Sequence, residues 1–232
     1  MANGSYQQFC PVAMASEILC TRWTLVLLRE LIAGATRFND LRRGLPRMSP
    51  ALLSKRLKEL EAAGLVSRTL VKGERGIFQY GLTKSGGELK PIVEAIGVWG
   101  HRWIETKSSL KNLDVDLLMW DMRRNLNPEP LPPGRSTIQI IFTDLPLARK
   151  NWWLLVDPLN GPDLCSIDPG FDVDLYISTD LRTMTEVYMG YLPIAKAMSA
   201  GRLVVTGDRT LEAGMAKWFG FSTLAKVERM VA

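Results

Sequence analysis

Residues 49–66 read SPALLSKRLKELEAAGLV, and this stretch decides the fold of the first half of the chain. Ser49 supplies a helix N-cap and Pro50 a first-turn proline. Leu53, Leu57 and Leu60 then recur at helical spacing until Gly64 ends the run. At about 100° per residue the three leucines fall within roughly a 60° arc, and Ala51, Ser54, Lys55 and Lys58 fall opposite them. A core stripe is thus backed by small, hydroxyl-bearing and cationic groups that can approach base edges and neutralise phosphates. Arg56 lies beside the leucine stripe, where pairing or snorkelling suits it better than base contact.

Upstream, Pro11 to Leu19 and Trp23 to Ile32 read as short amphipathic helices, and Phe38 to Arg43 as a third that stops at Gly44. Downstream, the period changes from helical to alternating. Leu65 to Val71 and Ile77 to Leu82 read as two strands joined by KGERG at 72–76, a hairpin with a basic tip. Thr83 can cap a long last helix from Lys84 to about Lys107, although Gly86 and Gly87 weaken its first turn. This order is that of a winged helix-turn-helix, in which one helix enters the major groove and the hairpin reaches the flanking backbone.

Cations fall on three elements that would line one surface. Arg37, Arg42 and Arg43 surround the third helix, Lys55 and Lys58 lie on the capped helix, and Arg68, Lys72 and Arg75 belong to the hairpin. With Ser49, Pro50, Ala51 and Ser54 they form the candidate DNA-binding set. The competing reading takes Lys55 and Lys58 as solvated charges and Ser49 as a cap only. The charge distribution favours the first. Residues 1–107 hold sixteen Lys and Arg against nine Asp and Glu, whereas 108–134 and 135–232 each carry a net charge of −1. The whole positive excess lies where a polyanion would be met.

The 232 residues suit two ordinary domains, expected at 1–107 and 108–232. The second opens with a helix at about 114–126, then the proline-rich NPEPLPPG at 127–134. Strands follow at Thr137–Thr143, Trp152–Val156, Leu164–Ile167, Asp172–Ser178 and Arg202–Thr206. Helices are expected at Leu181–Ala200 and Leu211–Phe219. The fold class is therefore a mainly α winged helix-turn-helix domain followed by an α+β domain.

Enzyme chemistry has little foothold. The single histidine, His101, falls in the long last helix and reads as interfacial, and the chain has no phosphate-binding loop, nucleophile motif or metal-ligand spacing. No catalytic residue, metal or cofactor is expected. The three cysteines, Cys10, Cys20 and Cys165, have no metal spacing and are odd in number. The polar N-terminus lacks the order of a signal peptide and no apolar run is long enough to cross a membrane, so a cytoplasmic location without membrane partners is expected.

The motifs CPV (10–12), RWTL (22–25), REL (29–31), RFNDLR (37–42), SP (49–50), RLKELE (56–61), GLV (64–66) and LT (82–83) resemble the HxlR-type regulators over about residues 8–105. The resemblance implies a homodimer on an inverted-repeat operator of double-stranded DNA, with the first and last helices, including Trp99 and Trp103, in the dimer contact. It also raises a redox-switch role for Cys10, which sits at a helix start where a thiol pKa is lowered. The competing reading packs Cys10 as a small hydrophobe.

From about Asp114 onward, LMW (118–120), DPGFDVD (168–174), TDLRT (179–183), MGYL (189–192) and AGRL (200–203) through Gly207 resemble a sterol carrier protein type-2 related domain. That implies a curved sheet and helices enclosing a cavity for a hydrophobic small molecule. Trp152, Tyr176, Met184, Tyr188, Tyr191 and Trp218 are the candidate ligand-binding residues, with a filled core as the competing reading. The functional expectation is a ligand-modulated transcription regulator. The alternatives are a lipid-carrier module whose winged helix makes protein contacts, and a thiol-based sensor.

Overall fold

The computed structural model describes residues 5–74, 76–157 and 160–231. The chain divides into two compact units, Met1–Gly97 and Val98–Ala232, a boundary earlier than the one at 107 expected from the sequence. The boundary falls inside a helix because residues beyond Val98 are held by the C-terminal segment, as described below.

The first unit begins with α1 (Pro11–Leu19), α2 (Thr24–Ile32), α3 (Phe38–Gly44) and α4 (Pro50–Ala62), followed by the antiparallel hairpin of β1 (Val66–Leu70) and β2 (Phe78–Leu82). The leucine stripe of α4, Leu53, Leu57 and Leu60, is fully buried against Leu27, Leu28 and Leu31 of α2 and Leu41 of α3. Below these side chains lies a carboxylate: Glu30 is 0% exposed and pairs with Arg29, whose guanidinium also donates to the Gly44 carbonyl at 3.3 Å. A Cβ at Gly44 would come within 1.8 Å of a Glu30 carboxylate oxygen, so the glycine is what lets α3 end against α2. The wing is bound to the helices by its backbone. The Tyr80 N–H donates to the Thr36 carbonyl at 2.8 Å, and Arg37 bridges to Gln79.

The single helix expected over 84–107 is three pieces, α5 (Lys84–Gly87), α6 (Lys90–Trp103) and α7 (Thr106–Ser109). Thr83 does cap the first, accepting from the Gly86 N–H at 3.2 Å. The chain then breaks where two glycines offer no side-chain packing and where Pro91 can join only the first turn of a new helix.

The second unit contains α8 (Val115–Asn125), β3 (Ser136–Phe142), α9 (Leu147–Lys150), β4 (Asn151–Asp157), β5 (Gly161–Cys165) and β6 (Leu175–Thr179). It continues with α10 (Leu181–Tyr188), α11 (Ile194–Ser199), β7 (Leu203–Gly207) and α12 (Arg209–Trp218). The five strands form one mixed sheet in the order β5-β4-β3-β6-β7, with β3 and β6 parallel and the other pairs antiparallel. Ile138, Ile140 and Phe142 of β3 and Leu175 and Ile177 of β6 share one core with residues of α8, α10 and α12. The opposite face carries exposed Tyr176 and Val204. The helix expected over 181–200 is divided by Gly190, whose φ is 77°, and by Pro193, leaving α10 and α11 separate.

No single helix among the described residues is long and apolar enough to cross a membrane.

Candidate nucleic-acid interface

The exposed face of α4 is what the sequence pattern requires. Ala51, Ser54, Lys55, Lys58, Glu59 and Ala62 line one shallow surface depression along the helix. Lys55 keeps its side chain 68% exposed despite an ion pair with Glu59 at 3.9 Å, a contact worth little in water. Ser49 Oγ accepts from the Leu52 N–H at 3.3 Å, so its hydroxyl is engaged in capping. Arg56 donates to the Arg22 carbonyl at 3.1 Å and pairs with Glu59, which keeps it out of the face.

The flanking cations differ in availability. Arg42 and Lys72 are exposed, and Arg43 lies 3.7 Å from Asp40 on the same helix. Arg37 is engaged: it makes two hydrogen bonds to Glu74 at the wing tip, at 2.7 and 2.9 Å. Glu74 in turn is held below the usual carboxylate range, first by that hydrogen bond and then by the charge of Arg37. Arg68 lies across the wing, its guanidinium 3.5 Å from the centre of the Phe78 ring. Arg75 lies outside the described residues. Arg47, exposed in the turn between α3 and α4, was not among the sequence candidates; its position two residues before the N-cap Ser49 is the signal that could have found it.

Large apolar side chains are also exposed. On α6, Trp99 is 62% and Trp103 47% exposed, with Ile92 and Ile96 earlier on the helix; separately, on and before α1, Phe9, Val12 and Met14 are exposed. Cys10 immediately precedes α1, and its thiol is lowered from the ordinary value by the backbone N–H groups of Ala13 and then Val12.

Residues 18–108 match the HxlR-like helix-turn-helix family. The HTH-type transcriptional regulator YvaP of Bacillus subtilis (strain 168) is 36% identical over 99 residues, which are 42% of this chain and 92% of that one. The chain belongs to the HxlR-like helix-turn-helix family. A second HTH-type transcriptional regulator, sll1512 of Synechocystis, is 32% identical over 43% of this chain and 73% of its own length. Among solved structures, the redox regulator HypR in its reduced form is 34% identical over 39% of this chain and 90% of that chain, with a TM-score of 0.37. The HxlR-like chain is accordingly a helix-turn-helix transcriptional regulator, of a family of regulators and not of enzymes. The family match ends at residue 108.

In the regulator's second unit the expected ligand residues do not come together. Trp152, Met184, Tyr188 and Trp218 are buried in the packed core, Tyr176 lies on the exposed face of the sheet, and Tyr191 is stacked 5.4 Å from His101. Large aromatic and sulfur-bearing side chains fill the space between sheet and helices here, as close packing demands. None of the six lines the groove of about 950 Å3 that the unit does contain, between α11, α12 and the segment after it. His101, expected at an interface, is 5% exposed and enclosed by Tyr191 and Arg229.

Proposed function

We propose that the protein is a sequence-specific DNA-binding regulator that acts as a homodimer on an inverted repeat. In each copy α4 enters the major groove and the β1–β2 wing follows the flanking phosphates. The observation that carries this reading is the exposed face of α4, where Ala51 and Ser54 leave room for base edges and Lys55 and Lys58 bracket them with charge. Arg37, Arg42, Arg43 and Lys72 serve as phosphate contacts, with Arg37 exchanging Glu74 for a phosphate on binding. Dimerisation through α1 and α6 is supported by the exposed Trp99 and Trp103, two large apolar side chains of one helix that stand about half or more in water. The second unit is read as a sterol-carrier-like sensor of a hydrophobic molecule. Its mixed sheet with helices against one face, and the groove beside α12, support that reading.

Selection from a random DNA pool by the purified protein tests this. Recovery of an inverted repeat with half-site centres about 10 base pairs, one helical turn, apart is the expected result. Absence of any enriched sequence at low salt contradicts it.

A second reading is favoured by Cys10. A thiol at a helix start, its pKa lowered by the backbone N–H groups of the first turn, holds more thiolate near neutral pH than an ordinary cysteine. Oxidation there would alter α1, one of the two elements assigned to the dimer. Operator affinity measured before and after a mild thiol oxidant, in wild type and Cys10→Ser, separates this route from ligand sensing.

A further inference from the structure

The groove in the second unit has a built form. Its apolar interior is made by Leu192, Ile194, Met198, Met215, Phe219 and Phe221, and its volume of about 950 Å3 matches that of small-molecule sites. Its lining includes Lys217 and Lys226, both exposed, against the single acid Glu212. Neither lysine is ion-paired among the described residues. An apolar trough whose lining carries two unpaired cations and one acid is complementary to a molecule with an apolar body and an anionic end.

The walls of this groove also grip α6. One wall is the segment after α12, residues 219–226, tied down where the Ser222 N–H donates to the Tyr188 carbonyl at 2.9 Å. The facing turn is so close that a Cβ on Gly190 would lie 2.4 Å from the Ala225 carbonyl oxygen. Directly beyond these two contacts the same strands of chain become a clasp. Arg229 donates to the carbonyls of His101 at 2.7 Å and Ile104 at 2.9 Å and to Thr106 Oγ1 at 2.9 Å. Its guanidinium lies 4.4 Å from the centre of the Tyr191 ring, which in turn stacks on His101, and the Met230 N–H donates to the Arg102 carbonyl at 2.9 Å. The bonds to His101 and Arg102 satisfy two of the last carbonyls of α6, groups a helix end leaves without partners, and those to Ile104 and Thr106 hold the residues just after it.

We infer that the groove is the regulator's effector site, that it takes an amphiphile with one anionic head held by Lys217 and Lys226, and that the Arg229 clasp transmits its occupancy to α6. The inference rests on the reading of the second unit as ligand-sensing, and it names the site, the ligand class and the route. Occupancy changes the separation of the 190–193 turn from the 219–226 wall. Because Tyr191 and Arg229 are the continuations of those walls, the hold on the end of α6, the helix that carries Trp99 and Trp103, changes with it.

Calorimetric titration of the full chain with dodecanoate, dodecyl phosphate and dodecanol, all below micelle formation, tests the site. One saturable site per chain for an anionic probe is expected, with dodecanol at least about ten-fold weaker. Lys217→Ala/Lys226→Ala is expected to bring the anionic probes to the dodecanol value. A preference for dodecanoate over dodecyl phosphate, or the reverse, assigns the head group. Only unsaturable uptake, equal binding of dodecanol, or full affinity in the double variant overturns the site, whatever the protein does on DNA. The route is read separately. Arg229→Gln is expected to bind the anionic probe as wild type does while its operator affinity no longer responds. A wild-type response in Arg229→Gln, or saturable binding that leaves operator affinity unchanged in wild type, overturns the route and leaves the site standing.

Discussion

His101, the chain's single histidine, is buried. Burial, and then the positive charge of Arg229, lower its pKa from the ordinary value, while the Val227 carbonyl, accepting from the ring N–H, opposes them. Tyr191 is the other group against its ring. The unfolded chain takes up a proton near pH 6.5, the folded chain only at lower pH, so this stability is complete above the ordinary value and is lost as pH falls through the folded one. Urea unfolding is therefore expected to show a midpoint that drops between pH 7.5 and 5.5 more steeply in wild type than in His101→Phe. Parallel profiles would contradict the assignment. At the wing, Glu74→Gln releases Arg37 and removes a negative charge from the same tip, so Arg37 no longer has to leave a partner to reach a phosphate and operator affinity rises. An unchanged affinity in filter binding would mean that Arg37 does not reach a phosphate.

These residues mark what could be read without coordinates. Lys55 and Lys58 were legible because helical geometry alone places them opposite three leucines. The pairing of Arg37 with Glu74 was not, since it joins residues 37 positions apart across the wing. The burial of the candidate ligand residues was not legible for a different reason: Trp218 and Met184 are the types that fill either a cavity or a core, and composition does not distinguish the two. The groove is lined instead by alanines, one proline and two lysines among its apolar side chains, which draw no attention in a sequence.

At the level of elements, helix starts and hairpins were legible and the continuity of long helices was not. Pro50 and Thr83 mark real helix starts. The break after Gly87 depends on a contact distant in sequence. A Cβ at Gly86 would stand 2.0 Å from the Leu65 carbonyl oxygen, at the root of the wing, whereas one at Gly87 meets nothing within 4 Å. Gly86→Ala is thus expected to destabilise the first unit by about 1–3 kcal/mol through overpacking. Gly87→Ala, in helical backbone and open space, is expected to stabilise it by roughly 0.4–1 kcal/mol. Thermal or urea melts of the two variants decide this, and equal effects would contradict the close approach of α5 to β1.

For the whole molecule, the separation of charge between halves parallels the proposed separation of tasks: the first unit, with the proposed DNA face, is basic, and the second, with the proposed ligand site, is weakly acidic overall. The element that belongs to both is α6, which begins in one unit and ends in the other. If α6 carries the dimer contact, Trp99→Glu places a charge on that face and is expected to yield a monomer in analytical ultracentrifugation, with weakened operator binding. A dimer of unchanged stability would move the interface elsewhere.

The most direct test of the account is the salt dependence of operator affinity for wild type and for Lys55→Ala/Lys58→Ala. If α4 is the element that meets DNA, the double variant binds more weakly and its slope of log affinity against log salt is shallower by about two phosphate contacts. An unaltered slope and affinity would contradict the placement of α4 at the DNA.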